Sequence, residues 1–568
     1  MTDSPSPLSR QAAILCSIAA VASAMGAWMA KTAGIISGAY DPTIPQNSNF
    51  YHYTFVRFEP LSLLADAAFF LALAVIFVRC GAATPTRASW LAAMRVPLLV
   101  ALGVFALTGL GRFVVQQNFD LCIDEYLNQF EAHIFARQHL VATMPPEWRD
   151  YEPALRLPYV NYNQVSGYWA SGFLPGFAWL DFLADRIHLG WALDPALAAL
   201  SILLLADLTR RAFPGSEANL AAGLAVLLLA FSPQFLAMAT TKFAWTAHLC
   251  GSLFWVWLFT HPRRALFLLT PVVGALLIGL HQPHVHLLVA LPFLWRLLRS
   301  GQWRDLAWFA VWYLAGAFVW YKMMVLLRPV SVGTPGLGEL DKFHFSLLLT
   351  VVIALFHAIT VLAWSMPALP PLVALMLIHW NRQPVLVRDS FLAAAVTFLF
   401  YLSFPHEQGH GWGFRYLHSA YGLLTLAATG GAVTLIRAGA QSAVTRAIVA
   451  GAAFALLVQI PYRVHEITTL VRPLAQASRF ISGQQCDFVI VNTDDFWYSW
   501  DLIRNDPWLE ARPLIFNGAK LTPEQVAALK AKGSVIVIGA DQVRPFGVIL
   551  SDPAKLHALD PQGPASAP

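Results

Sequence analysis

Carboxylates, histidines and basic side chains gather in short clusters along an otherwise apolar chain. The first cluster is Asp120-Leu-Cys-Ile-Asp124-Glu125. Behind it, Leu127, Phe130 and Ile134 recur at helical spacing, with Glu131 and Arg137 on other faces. Asp124 then sits at a helix start, where the positive end of the helix dipole favours an ionised carboxylate. Such a group can take the proton of an attacking hydroxyl. The same position also suits a plain N-cap, with Glu125 a solvated charge. A second cluster joins Lys242 to Thr240, Thr241 and His248. Lys242 is read either as a substrate-binding cation or as an anchor snorkelling to the interface. The third, His281-Gln-Pro-His284-Val-His286, brings three imidazoles close enough to suggest zinc. It has no adjacent acid or thiolate, and the proline breaks the helical register, so the reading taken is polar lining of a cavity. The fourth is His406-Glu407-Gln-Gly-His410-Gly-Trp-Gly413-Phe-Arg415-Tyr416. Its glycines permit a tight backbone. A guanidinium such as Arg415 can grip a phosphate with two parallel bonds. The plainer reading is an interfacial arginine between Trp412 and Tyr416.

The elements that must position these groups are membrane helices. The chain has 568 residues, 57% hydrophobic and only 12% charged, with 20 Trp and 38 Phe. Its mean hydropathy is +0.56. Soluble chains carry about 25% charged residues, and one membrane span needs roughly 20 mostly apolar ones. Thirteen spans are read, near 11–31, 61–79, 93–115, 191–209, 219–240, 246–260, 265–281, 284–298, 305–327, 362–380, 389–405, 416–436 and 445–462. The first is taken as a retained span, since no small-residue cleavage site follows it. Arg10, Arg79, Arg87, Arg95, Arg210, Arg211, Arg263, Arg264, Arg296, Arg299, Arg304, Arg382, Arg388, Arg437 and Arg446 all fall on one side of this scheme. Cytoplasmic loops are enriched in such residues, so the N-terminus is expected inside and the C-terminal tail outside. The apolar stretch His344–Trp364 is read as lying at the outer interface or in a groove, because counting it would invert every later loop.

Two extracytoplasmic segments are long. One is a loop, Gln116 to Gly190, and loops of that length are usually functional. The other follows Arg463 and reads as a small α/β module. Phe488–Val491 and Ser534–Ile538 are strand-like, Thr522-Pro523-Glu524 starts a helix and Gly533 ends it. The end, Pro561–Pro568, is disordered in composition. The expected domains are therefore 1–463, an all-α transmembrane domain including the loop 116–190, and 464–568, the α/β module. Of the five cysteines, Cys122 and Cys486 share the outer side, which leaves a disulfide between them open. The net charge of +5 is small for this length and points to no nucleic-acid partner.

The clusters fall at the outer ends of spans. A carboxylate that activates a hydroxyl, beside a cation that helps a phosphate depart, is the chemistry of transfer from a lipid phosphate. Little nucleotide sugar exists outside the cytoplasm, so a lipid-carried sugar is the expected donor.

These residues resemble a known group, the GT-C membrane glycosyltransferases. The chain is similar to the polyprenyl (dolichyl)-phosphate-mannose mannosyltransferases and the aminoarabinose transferases. Asp124-Glu125 opening a helix in the first large outer loop looks like their acidic motif. Trp169–Leu180, with Leu174-Pro175-Gly176, is similar to the apolar segment closing that loop. Arg210-Arg211-Ala-Phe, Ser232-Pro233 and Gly411–Tyr416 resemble recurring features, so the likeness runs from about 95 to 440. It implies an inverting transferase of the bacterial inner membrane with Asp124 as general base and Glu125 beside it. Arg415 and Lys242 would then be donor-phosphate ligands, and His248, His281, His284, His410 and Tyr416 would line the substrate site. The implied partners are a polyprenyl-phosphate-sugar donor, membrane lipids and an acceptor that is a glycan, lipid or protein. No cofactor is implied with certainty, and a divalent metal is left open. The chain departs from the group in having three spans before the acidic loop instead of one. It also carries His281-Gln-Pro-His284 where a basic residue is usual. Asp181 and Asp185 are candidates for a second acid. The rival readings are a transporter or flippase of a lipid-linked or anionic substrate, and an envelope scaffold. The chain lacks the internal repeat common in transporters.

Overall fold

The computed structural model describes residues 6–36, 46–80, 95–327, 347–403 and 411–550. Among these, six helical stretches are long and apolar enough to cross a membrane: Pro7–Thr32, Tyr53–Arg79, Val96–Val114, Gly190–Ala212, Trp303–Val325 and Arg415–Ser482. The pair Thr350–Trp364 and Leu369–Ile378, bent by 116°, makes a seventh if counted as one span. The chain is a multi-pass membrane protein. The last stretch is broken at Gly439, whose φ of 83° lies outside helical space.

Prolines break two of the expected spans. The run read at 219–240 divides into Ala218–Ala230 and Pro233–Met238. Ser232, held extended by the proline after it (ψ 121°), ends one helix, and Pro233 opens the next at a position that needs no N–H. The run read at 362–380 likewise parts at 365–368, which holds Pro367, and Pro370 and Pro371 follow in the first turn of the next helix, Leu369–Ile378. The helix Leu347–Trp364 packs on the two N-terminal helices, with the Phe356 ring 4.3 Å from Phe55.

One buried charge ties these pieces together. The Arg463 guanidinium donates to Glu59 and Glu466, each at 2.6 Å, and to Ser62 Oγ at 3.0 Å. It also lies 4.2 Å from the Trp364 ring centroid, and the Trp364 indole donates to Glu59 at 2.7 Å. The helix Ile460–Ser482 thus runs on past Arg463.

The segment after Val96–Val114 forms its own layer. Helix Ile123–Ala136 is followed by an antiparallel sheet in which Tyr168–Ser171 lies between Ala142–Thr143 and Val160–Tyr162. Near the C-terminus, Phe488–Val491 lies between Leu514–Asn517 and Val535–Ile538 in a parallel sheet. Helix Pro523–Lys532 precedes its last strand, with Thr522 and Gln525 forming a capping box. The two layers are stitched together. Trp148 packs on Phe488 and Phe516, and the Trp169 indole donates to the Pro507 carbonyl at 2.8 Å. Arg137 forms an exposed ion pair with Glu510 at 2.6 Å. Cys122 and Cys486 are both free thiols, so the disulfide left open between them is not formed.

Candidate active site

Helix Ile123–Ala136 begins one residue before Asp124, with Cys122 at its N-cap in extended conformation. Asp124 and Glu125 therefore both lie in the first turn, and Asp124 is not the cap. Neighbouring residues on a helix diverge by about 100°, so the two acids serve different surroundings. Leu127, Phe130 and Ile134 are buried as their spacing suggests. Glu131, read on another face, is buried as well, and accepts from the Ser171 amide at 3.0 Å.

Asp124 meets Arg415. Its Oδ2 accepts from Arg415 Nη1 at 2.9 Å, with side chains 15% and 7% exposed. Arg415 opens the short helical turn leading into His418–Leu435. Gly413, at φ 59°, is wedged against the Gln234 amide, where a Cβ would collide. This is the close backbone approach that glycine permits. The guanidinium also lies over the rings of Phe243 (5.1 Å) and Tyr416 (5.3 Å).

An aromatic and imidazole wall continues from there. Tyr416 stacks on Tyr401 at 4.2 Å, and Tyr401 Oη shares a 3.1 Å hydrogen bond with His284 Nε2. Trp245 packs against Tyr416, His281 and His248. The His281 segment is drawn in by the long loop. The amides of Leu174, Gly176 and Phe177 donate to the carbonyls of His281, Gly279 and Leu280 at 3.2, 2.9 and 2.9 Å. His248 is buried, and its ring nitrogens find no hydrogen-bond partner. His286 shares a 2.7 Å hydrogen bond with Tyr313. His406, Glu407 and His410 lie outside the described residues. Among the described residues no group of three His, Cys, Asp or Glu could hold a metal ion.

Glu125 faces another polar set. It is buried, against the solvated reading, because helix Ile123–Ala136 is covered on that side by the turn at Lys242. Its Oε2 accepts from the Lys242 amide at 3.1 Å, while Oε1 is unpartnered. Burial first, and the charge of Asp120 second, push its carboxyl up to about 8. The Lys242 ammonium does not reach the interface, as a snorkelling anchor would. It is ion-paired with Asp181 and donates to the Gly190 carbonyl at 2.7 Å. Asp120 is paired with Arg112 at 2.6 Å. Burial raises its carboxyl, but Arg112 and Arg504 outweigh that and hold it below its ordinary value. Asp185 approaches Gly190, the residue whose carbonyl accepts from Lys242.

The residues expected at one site thus form two adjoining sets. Asp124, Arg415, Tyr416, His281 and His284 line one, and Glu125, Lys242 and Asp181 form the other. Sequence reasoning missed the partners Arg112, Arg504, Tyr401 and Asp501. Arg112, a lone arginine inside the third span, was a local signal, since such a charge needs a partner.

No family model and no curated protein matches the chain. Among solved structures it is similar to the crystal structure of ArnT from Cupriavidus metallidurans bound to undecaprenyl phosphate. The TM-score is 0.50 at 15% identity, over 77% of this chain and 91% of that one. The crystal structure of that ArnT in the apo state gives 0.47 at 14% identity, over 78% and 89%. At this identity the first likeness is one of fold. Over 77% of its length the chain shares the fold of that ArnT structure.

Proposed function

We propose that this protein is a glycosyltransferase that moves a sugar from a polyprenyl-phosphate-sugar to an acceptor hydroxyl at the periplasmic face of the inner membrane. The acceptor oxygen attacks the anomeric carbon as the bond from that carbon to the phosphate oxygen breaks. The electron pair leaves with the phosphate, the configuration inverts, and Asp124 takes the hydroxyl proton. Arg415 stabilises the departing phosphate. Lys242 with Asp181 and Glu125 braces the acidic helix from behind, while His281, His284, Tyr416 and His248 shape the sugar side.

The observation that carries this reading is the Asp124–Arg415 contact of 2.9 Å. A base and an anion-binding cation stand side by side, each mostly buried and neither wholly so. An incoming phosphate can draw the guanidinium toward itself and release the carboxylate for the acceptor. A cavity of about 440 Å³ adds support. Leu99, Val104, Phe231, Leu236, Ile460 and Val464 line it, together with Thr240, a neighbour of the Lys242 turn. Such an apolar lining suits a polyprenyl chain. The undecaprenyl phosphate of the similar ArnT structure is a lipid of that class. On this reading about thirteen crossings put the N-terminus in the cytoplasm and a module of residues 464–568 in the periplasm, an orientation supported by the one-sided arginines.

The test is release of polyprenyl phosphate by the purified protein from a panel of polyprenyl-phosphate sugars, mannose and aminoarabinose first, with an envelope extract as acceptor. Donor turnover with a new glycosidic bond is the expected result. Labelled donor crossing a vesicle without bond formation would replace the proposal with transport.

A further inference from the structure

The acidic helix has no cap of its own. Cys122 stands at the N-cap and makes no side-chain capping bond, where Ser, Thr, Asp or Asn would ordinarily accept from one of the unsatisfied amides. Instead the Ile123 amide donates at 3.1 Å to Asp501 Oδ1, 378 residues further along the chain. Asp501 is 4% exposed and lies in the short turn Ser499–Leu502, which follows Tyr498. Tyr498 adopts φ 57°, a left-handed conformation that costs energy for a residue with a Cβ. The rest of this segment grips the same helix start. The Arg504 guanidinium donates to the Asp120 carbonyl and lies over the rings of Phe119 (4.2 Å) and Tyr126 (4.9 Å). Tyr126 Oη in turn donates to the Asn505 carbonyl at 3.0 Å.

We infer that the C-terminal segment completes the candidate active site, with Asp501 as the long-range cap that fixes the start of helix Ile123–Ala136 and so the direction in which Asp124 meets Arg415. Asp501 is a positioning residue, since it acts through the helix and not on substrate. The capping stands on the contacts above, and its catalytic consequence rests on the proposed function. A bond supplied from the far end of the chain also makes the site depend on docking of the C-terminal sheet, so a strained turn and a buried carboxylate both serve the helix they touch.

The experiment compares full-length wild type, Asp501→Ala and Asp501→Asn, all purified and matched for folding by thermal unfolding. Turnover and hydrogen exchange of the peptide covering residues 119–130 are both read. Loss of the cap is expected to lower kcat by about 10- to 100-fold, the scale of a misplaced catalytic group, with donor KM little changed. Asp501→Asn retains an amide oxygen in the same place and is expected to recover most of the rate. Exchange in the peptide is expected to quicken in Asp501→Ala alone. Wild-type kcat in Asp501→Ala, or an asparagine variant as slow as the alanine one, overturns the inference. Should the wild type itself turn over no donor, the proposed function fails, and exchange decides the capping by itself. Equal exchange in wild type and Asp501→Ala then overturns it.

Discussion

Asp124 and Arg415 stand 291 residues apart in the chain and 2.9 Å apart in space. The contact joins the first turn of a loop helix to the entry of a membrane helix, and each partner is set in place by a separate device. Asp124 is aimed by its helix, whereas Arg415 is aimed by a backbone turn that glycine allows at 413.

Removing the cation tests its half of the pair. Arg415→Ala is expected to lower kcat by about 10²- to 10³-fold, the usual cost of losing one donor to a developing anion. Arg415→Lys keeps the charge but not the paired N–H groups, so its loss is expected to be intermediate. Steady-state kinetics with a synthetic donor measures both, and equal rates in all three proteins would remove Arg415 from the mechanism.

Glu125 makes a prediction about pH. Its carboxyl is raised from 4.5 to about 8 when folded, so the folded state holds a proton that the unfolded chain has released. Its contribution to stability is therefore fully present below about 4.5 and is lost as pH rises through about 8. Thermal unfolding of the wild type should fall in Tm from pH 5 to pH 8. Glu125→Gln should flatten that fall, leaving a residue from Asp501, which burial raises to about 7. Identical slopes in the two proteins would contradict the assignment.

Arg463 carries a stability prediction. Arg463→Ala leaves Glu59 and Glu466 buried together without their cation, an arrangement that costs about 3–5 kcal/mol. The expected result is a marked loss of Tm in detergent, and of folded yield. Arg463→Ala combined with Glu59→Gln and Glu466→Gln should regain part of it. An unchanged Tm in the single variant would show that the network contributes little.

Local signals carried part of this architecture. The period of Leu127, Phe130 and Ile134 marks the acidic helix because burial and helical geometry coincide there. The Thr522-Pro523 start of helix Pro523–Lys532 is legible because a capping box is made by residues three apart. Arg415 stood out because an arginine at the outer end of a span runs against the charge bias of the other loops. The breaks at Ser232-Pro233 and at 365–368 were visible as prolines, but the apolar run on either side outweighed them in a hydropathy reading. What no local pattern holds is partnership. The Lys242 ammonium turns to Asp181, and the amide of Ile123 turns to Asp501, across separations that periodicity does not reach. For the Ile123–Asp501 bond the trace in the sequence is negative: a helix start with cysteine where a capping side chain belongs.

The central claim is that Asp124 is the base for sugar transfer, and the most direct measurement compares wild type with Asp124→Asn at matched Tm. Asparagine keeps the size and the acceptor oxygen facing Arg415 but cannot take a proton at neutral pH. The account predicts donor turnover by the wild type and a loss of about 10²- to 10⁴-fold in the variant, with donor binding retained. Turnover in Asp124→Asn equal to that of the wild type would contradict it.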